Sequence, residues 1–142
     1  MKTFRRIVIV VLALMVLIQL VPVTKSNPPL ETEISAPSNV QAILNRSCYD
    51  CHSNKTVWPW YSHVAPVSWL VSSDVSGARR KMNFTTWNRY TAEQQVRKVR
   101  GIWDEVDKGD MPPWYYLIEH NNARLSADDK SILHDWTQAA HE

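Results

Sequence analysis

Cys48-Tyr49-Asp50-Cys51-His52 is the segment around which the rest of the chain has to be arranged. C-x-x-C-H is the attachment signature of c-type haem. Two thiols three positions apart can add to the two vinyl groups of one porphyrin, and the adjacent histidine then ligates the iron. The motif predicts one covalent haem c per chain, bound through Cys48 and Cys51, with His52 as the proximal iron ligand.

Three other interpretations of the cysteine pair stay open at this point. A redox C-x-x-C of the thioredoxin type belongs to a βαβ pattern, which the sequence does not contain. A structural zinc site needs four ligands and would have to recruit the scattered His63, His120 or His134. A plain disulfide needs no adjacent histidine.

The sixth iron ligand is predicted to be Met111, which stands in the segment Gly109-Asp110-Met111-Pro112-Pro113-Trp114. The prolines prevent a helix from continuing, so the thioether is presented from a loop. A methionine ligand stabilises ferrous haem and raises its potential. His120 is the alternative ligand, whereas Met82 is assigned to the core and His63 to a structural role.

Seven tryptophans are many for a chain of 142 residues. A porphyrin is a flat apolar slab against which indole rings can pack, and its propionates can accept indole N–H bonds. Trp58 and Trp60 directly follow the motif and are candidate walls of the haem site. Trp103 and Trp136 lie on apolar helical faces, where ordinary core packing is expected.

The amino terminus has the pattern of a secretory signal or a membrane anchor. Lys2, Arg5 and Arg6 precede an apolar run over residues 7–23, which would reach about 25 Å as a helix, against a hydrocarbon core of roughly 30 Å. No A-x-A cleavage site follows, which favours a retained membrane anchor over residues 1–26, with a cleaved signal peptide as the alternative. In both cases the positive flank stays inside, and the remainder is expected on the periplasmic side of the inner membrane.

The exported part is predicted to be all-α, with a linker over residues 27–37 and one haem-binding domain over residues 38–142. Apolar residues recur at helical spacing in four segments, and no alternating strand of useful length appears. The expected helix starts are Ser38, as a cap for the face of Val40, Ile43 and Leu44; Pro66; the Thr91–Gln94 capping box, with Gly109 ending that helix; and Ser126.

Charge excludes one class of partner. The chain has 16 Lys and Arg against 14 Asp and Glu, but four of the bases and none of the acids lie in residues 1–26. The remaining chain therefore has 12 bases and 14 acids. Since nucleic-acid binding needs a basic face, no nucleic-acid partner is expected.

Several motifs together resemble the bacterial haem-binding domain family of exported proteins. The resemblance spans roughly residues 40–136 and implies a compact, cytochrome c-like helical domain around covalent haem. It rests on Cys48-x-x-Cys51-His52-Ser53, Thr56-x-Trp58-Pro59-Trp60-Tyr61, Ala65-Pro66-Val67-Ser68-Trp69-Leu70, Asn83-Phe84 with Trp87, Gly109-x-Met111-Pro112-Pro113 with Tyr116, and His120-x-x-Ala123-x-Leu125-Ser126.

Two function classes follow from this pattern. A haem ligated by His52 and Met111 favours a one-electron carrier or relay, tethered to the membrane, with a redox partner protein and no small-molecule substrate. The acids Asp104, Glu105, Asp107 and Asp110, expected to be exposed near Met111, would steer a basic partner. The alternative is a haem enzyme or a gas or redox sensor with a displaceable sixth ligand. No catalytic residues are assigned, because no distal acid–base pair stands out in the sequence.

Overall fold

The computed structural model describes residues 1–139, so the last three residues of the predicted domain lie outside the described part. Within it the chain forms helices and loops and no strand, which confirms the all-α class. The α-helices are α1 (Lys2–Leu17), α2 (Ser38–Ser47), α3 (Tyr49–His52), α4 (Val67–Lys81), α5 (Ala92–Asp107), α6 (Tyr116–Glu119) and α7 (Ala127–Ala139). Short 3-10 turns occur at Ile18–Leu20, Trp60–His63, Trp87–Arg89 and Asn121–Ala123.

The amino-terminal helix α1 is exposed along its whole length. With the 3-10 turn that follows, it forms a 19-residue apolar helix over Lys2–Leu20, long and apolar enough to cross a membrane by length and composition. A signal sequence has the same properties. Its end contacts the folded domain, because the Gln19 side chain donates to the Ala65 carbonyl at 3.1 Å and accepts from the Ala65 N–H at 2.9 Å.

The segment over residues 27–37 is not the free linker that its composition predicts. The Ile34 side chain is only 4% exposed and belongs to the hydrophobic core. The Ile34 N–H donates to the Phe84 carbonyl at 2.8 Å, and the Glu31 N–H donates to the Thr85 carbonyl at 3.0 Å. Backbone bonds and one buried side chain therefore attach this segment to the domain, although it has no periodic apolar pattern.

The helix α2 confirms the predicted apolar face but corrects its cap. Pro37 occupies the N-cap position, and Ser38 is the first helical residue, so the predicted Ser38 cap is wrong. A proline can precede a helix in this way because its fixed φ suits the entry and it lacks a donor. The buried face consists of Val40, Ile43, Leu44 and Ser47.

The caps of α5 and α7 are as the sequence predicts. The Gln94 N–H donates to Thr91 Oγ1 at 3.3 Å, and the Gln94 side chain accepts from the Thr91 N–H at 3.0 Å, which completes a capping box. Gly109 follows α5 with a φ of 80°, a left-handed conformation that glycine adopts without strain. Ser126 Oγ accepts from the Asp129 N–H at 3.0 Å at the start of α7.

The core lies where α2, α5 and α7 meet. The helix α7 packs against α5 and α2, while α3 packs between α2 and α4. Leu44 and Leu133 are fully buried there, and Phe84 joins them from the loop after α4. Arg46 and Asp129 form an ion pair at 2.7 Å that connects α2 to α7. This packing leaves α3, α4 and α5 around a common space.

Candidate functional site

A cavity of about 520 Å³ lies between α3, α4, α5 and the loop that follows α5. Its size falls in the range of roughly 300–1,000 Å³ typical of ligand sites. Its lining includes Cys48, Cys51 and His52 of the motif. It also includes Met111, which lies sixty residues after Cys51 in the sequence. The structure therefore brings all four predicted attachment and ligand residues to one cavity.

The two residues between the cysteines hold the motif in place. Tyr49 is buried and stacks on Phe84 with ring centroids 5.2 Å apart. Asp50 Oδ2 accepts a hydrogen bond from the Tyr116 hydroxyl at 2.8 Å, and its Oδ1 accepts from the Val57 N–H at 3.2 Å. Because both intervening side chains are fixed, the cysteines on either side of them are positioned before any ligand binds.

The His52 ring is oriented by the end of α4. His52 Nδ1 lies 3.1 Å from the Met82 carbonyl oxygen. A carbonyl only accepts, so Nδ1 carries the proton and Nε2 keeps its lone pair for a metal. A backbone partner on the far nitrogen is the usual second-shell arrangement of a ligating histidine. Burial lowers the pKa of His52, which favours the neutral ring.

Both cysteines are free, half-buried thiols. Burial, together with the negative charge of Cys51, raises the pKa of Cys48 to about 12; burial and then Asp50 do the same for Cys51. A redox-active C-x-x-C instead needs a lowered pKa, so these thiols differ from that class. Among residues 1–139 no group of three or more His, Cys, Asp and Glu side chains could hold a metal ion, so the zinc interpretation gains no further ligands.

Two glycines leave open space in the wall of the cavity. Gly77 on α4 and Gly101 on α5 both line it. A Cβ built on Gly101 would meet no atom within 4 Å, and one on Gly77 would meet only the Arg80 guanidinium at 3.8 Å. Two helix backbones are thus bare where they face the cavity, which allows a planar group to lie close to both. The thiols, the free His52 nitrogen and this bare space together fit a haem.

Trp58 and Trp60 are not among the residues that line the cavity. Trp60 is 73% exposed, and its ring contacts the edge of Tyr61 at a centroid distance of 5.9 Å. Between the motif and Trp58, Thr56 Oγ1 donates to the Asp50 carbonyl at 2.6 Å. The structure therefore does not place either tryptophan at the predicted haem wall.

The structure also shows where His63, His120 and Met82 lie relative to the cavity. His120 Nε2 is hydrogen-bonded to the Tyr61 hydroxyl at 2.7 Å, and the His120 ring stacks on Tyr116 with ring centroids 4.2 Å apart. His120 itself does not line the cavity. His63 lies on the surface beside Lys25. Met82 packs against the core and also borders the cavity. His120 is therefore engaged elsewhere. Of the two methionines that border the cavity, Met82 contributes its carbonyl to His52, and Met111 stays the predicted ligand.

Several residues line the cavity without a sequence signal for a binding role. Gly77 and Gly101 belong to no chemical motif, Phe84 enters only through the family resemblance, and the bases Arg80 and Lys98 look like ordinary surface residues. One signal was available: Gly101 interrupts a strongly periodic helical pattern, where glycine costs about 1 kcal/mol relative to alanine.

An all-helical domain with a paired-thiol and histidine motif on a cavity of this size belongs to the class of small haem-binding domains. Residues 13–139 match the model of the family described as a haem-binding domain, which covers most of the chain. The chain therefore belongs to the haem-binding domain family. No curated protein and no solved structure shows significant similarity to it.

Proposed function

We propose that the chain is a c-type haem protein that carries single electrons at the periplasmic side of the inner membrane. The observation that carries the proposal is the meeting of Cys48, Cys51, His52 and Met111 on one cavity. Cys48 and Cys51 would hold the haem through thioether bonds, and His52 and Met111 would ligate its iron. The bound haem supplies one-electron redox chemistry.

The protein's part in this function is to bind and to orient. The Met82 carbonyl holds the His52 ring in the tautomer whose Nε2 is free. The end of α5 holds the Met111 backbone, because the Met111 N–H donates to the Glu105 carbonyl at 3.1 Å. Holding the His52 ring and the Met111 backbone in place favours the small change in geometry between oxidation states that an electron carrier needs.

The proposed location rests on α1. The helix α1 begins with three basic residues, Lys2, Arg5 and Arg6, and continues as an apolar segment with no buried residue. As an anchor it would keep the domain on the far side of the membrane from its basic flank. The exposed acids Asp104, Asp107 and Asp110 lie beside Met111 in the sequence and suit a redox partner with a basic surface.

Covalent attachment is tested by acid–acetone extraction of the purified full-length protein. We expect the haem to stay with the polypeptide, with one haem per chain by the pyridine haemochrome assay. The Cys48→Ser/Cys51→Ser variant is the control and should release any haem that it binds. Loss of colour from the wild type would overturn the thioether assignment.

A haem enzyme or gas sensor is the second candidate, and two tyrosine–aspartate pairs on the cavity wall favour it. The Tyr116 hydroxyl donates to Asp50, and the Tyr115 hydroxyl donates to Asp74 at 3.0 Å. Burial and these hydrogen bonds raise the pKa of both phenols, that of Tyr115 to about 12, so they remain proton donors. Rapid carbon monoxide binding to the reduced protein would favour this second function, and absence of binding would favour the carrier.

A further inference from the structure

Three bases that line the cavity have no role in the function proposed so far. Arg80 and Lys81 come from the last turn of α4, and Lys98 comes from α5. The Lys98 ammonium donates to the Lys81 carbonyl and lies 4.4 Å from the centre of the Tyr90 ring. Two helices thus bring three positive charges to the same cavity that the motif lines.

These charges are not neutralised by the protein. In the described part of the chain, no carboxylate lies within ion-pair distance of Arg80, Lys81 or Lys98. Glu105 also borders the cavity, but it pairs with Lys108 at 3.7 Å. Uncompensated cations that line a cavity predict an anionic group on the ligand that enters it.

The charges in the cavity are separated along its wall. The carboxylates of Asp50 and Asp74 act on Cys51, and both hold tyrosine hydroxyls there. The bases instead lie beside the His52 end of α4, where Lys81 acts on the imidazole. Among the residues that line the cavity, the carboxylates of Asp50 and Asp74 therefore lie toward the thiols, and the three bases lie toward the end of α4 and on α5.

We infer that Arg80, Lys81 and Lys98 form the propionate-binding end of the haem site. A haem carries its vinyl groups and its two propionates on different edges of the ring, so a ring whose vinyls meet Cys48 and Cys51 directs its carboxylates elsewhere. Two carboxylates match a cluster of three cationic donors, and guanidinium can bind a carboxylate through two parallel bonds. The inference rests on the proposed haem binding and assigns the orientation of the ring.

The test uses the full-length holoprotein with single Arg80→Gln, Lys81→Gln and Lys98→Gln substitutions. Arg100→Gln is the matched control, because Arg100 lies two residues from Lys98 on α5, is exposed and does not line the cavity. The readouts are the propionate-bending band in the resonance Raman spectrum and the pH at which the midpoint potential changes slope.

We expect the band to shift in the Arg80 and Lys98 variants and to stay at the wild-type frequency in Arg100→Gln. A nearby cation keeps the pKa of a carboxylate low, so its removal should move the redox-linked inflection to higher pH by about 1 unit or more. The Lys98→Arg variant keeps the charge and should restore both readouts.

Wild-type bands and inflections in all three variants would overturn the propionate assignment while leaving haem binding intact. A wild type that binds no haem would instead overturn the proposed function. If Lys98→Gln fails to load haem, Lys98→Arg decides: loading with a normal band supports the site, and failure to load contradicts it.

Discussion

Met111 is the residue whose role can be separated most cleanly from folding. Its side chain is half-buried, packs against the core and reaches the cavity, and its backbone is fixed by the Glu105 carbonyl. Met111→Ala should therefore keep the haem attached through Cys48 and Cys51 while removing the thioether. We expect altered ferric and ferrous absorption spectra and a lower midpoint potential, because methionine ligation stabilises ferrous haem.

Met82→Ala is the control for this experiment, since Met82 also borders the cavity but contributes its backbone carbonyl to His52. It should destabilise the fold by about 2–5 kcal/mol, or less if the site collapses, with the ligand spectrum retained. Unchanged spectra in Met111→Ala would contradict the ligand assignment.

At the scale of the helix, Gly101 links the stability of α5 to the site. Gly101→Ala should raise helix stability by about 1 kcal/mol, because glycine is costly in a helix interior and a Cβ there meets nothing within 4 Å. Gly101→Phe should instead fill the space and lower the haem content several-fold. The ratio of haem absorbance to protein, with a melting curve for each variant, measures both effects.

The haem loading of the two variants, Gly101→Ala and Gly101→Phe, decides whether the ring lies against α5. A Gly101→Phe protein with full haem loading would show that the ring does not lie against α5. Poor loading of Gly101→Ala would show that the helix needs glycine for a reason other than room for the ligand.

The start of α7 gives a pH-dependent prediction. Burial alone would raise the pKa of Asp129, but hydrogen bonds from Ser126 and the charge of Arg46 outweigh it and lower the pKa below its usual value of 3.8. A lowered native pKa contributes stability above the unfolded pKa, and that stability is lost as the pH falls through the native value. Asp129→Asn should therefore cost about 0.3–1 kcal/mol at pH 7.

Urea denaturation at pH 7 and near pH 2.5 measures this difference. The gap between wild type and Asp129→Asn should narrow at the lower pH, where the native carboxylate becomes protonated. Asp128→Asn is a useful comparison, because Asp128 also lies in the first turn but has no Arg46 partner. An equal gap at both pH values would contradict the electrostatic explanation.

Local signals explain which elements the sequence predicts well. The Thr91–Gln94 box and Gly109 define α5 through short-range chemistry, so both ends follow from the sequence. The C-x-x-C-H motif likewise identifies three cavity residues by its spacing alone. By contrast, Ile34 joins the core and its N–H donates to the carbonyl of Phe84, fifty residues away. Nothing in the sequence around Ile34 indicates this contact.

The walls of the site depend on tertiary structure. Arg80 and Lys98 look like solvated helix residues in the sequence, and only the folded chain brings α4 and α5 to one cavity. Trp58 is close to the motif in sequence, which predicts a haem-wall position, but it does not line the cavity. The spacing within a motif is visible in neighbouring residues, whereas the residues that line a cavity come from distant parts of the chain.

For the whole molecule, a cavity of about 520 Å³ next to the core makes the ligand part of the folding unit. Phe84 is fully buried yet borders this cavity, so an empty cavity would leave core contacts unmade. Because a group bound only by the native state stabilises it, the haem-free form should be poorly folded.

The Cys48→Ser/Cys51→Ser variant, purified without haem, tests this expectation. Its near-UV circular dichroism should be largely lost and its far-UV signal reduced relative to the holoprotein. Native-like signals in both regions would contradict the view that the domain requires its ligand.

The two hydrogen bonds between Gln19 and Ala65 have a consequence for how far the domain can search. A free tether of the eleven residues over 27–37 would let the domain sweep a radius of about 17–20 Å by random-coil statistics. Because Gln19 is hydrogen-bonded to Ala65 and Ile34 is buried in the core, the volume that the domain can reach is far smaller. In the proposed anchored state the redox centre would then stand at a constant height above the bilayer, and its partners would have to travel to it.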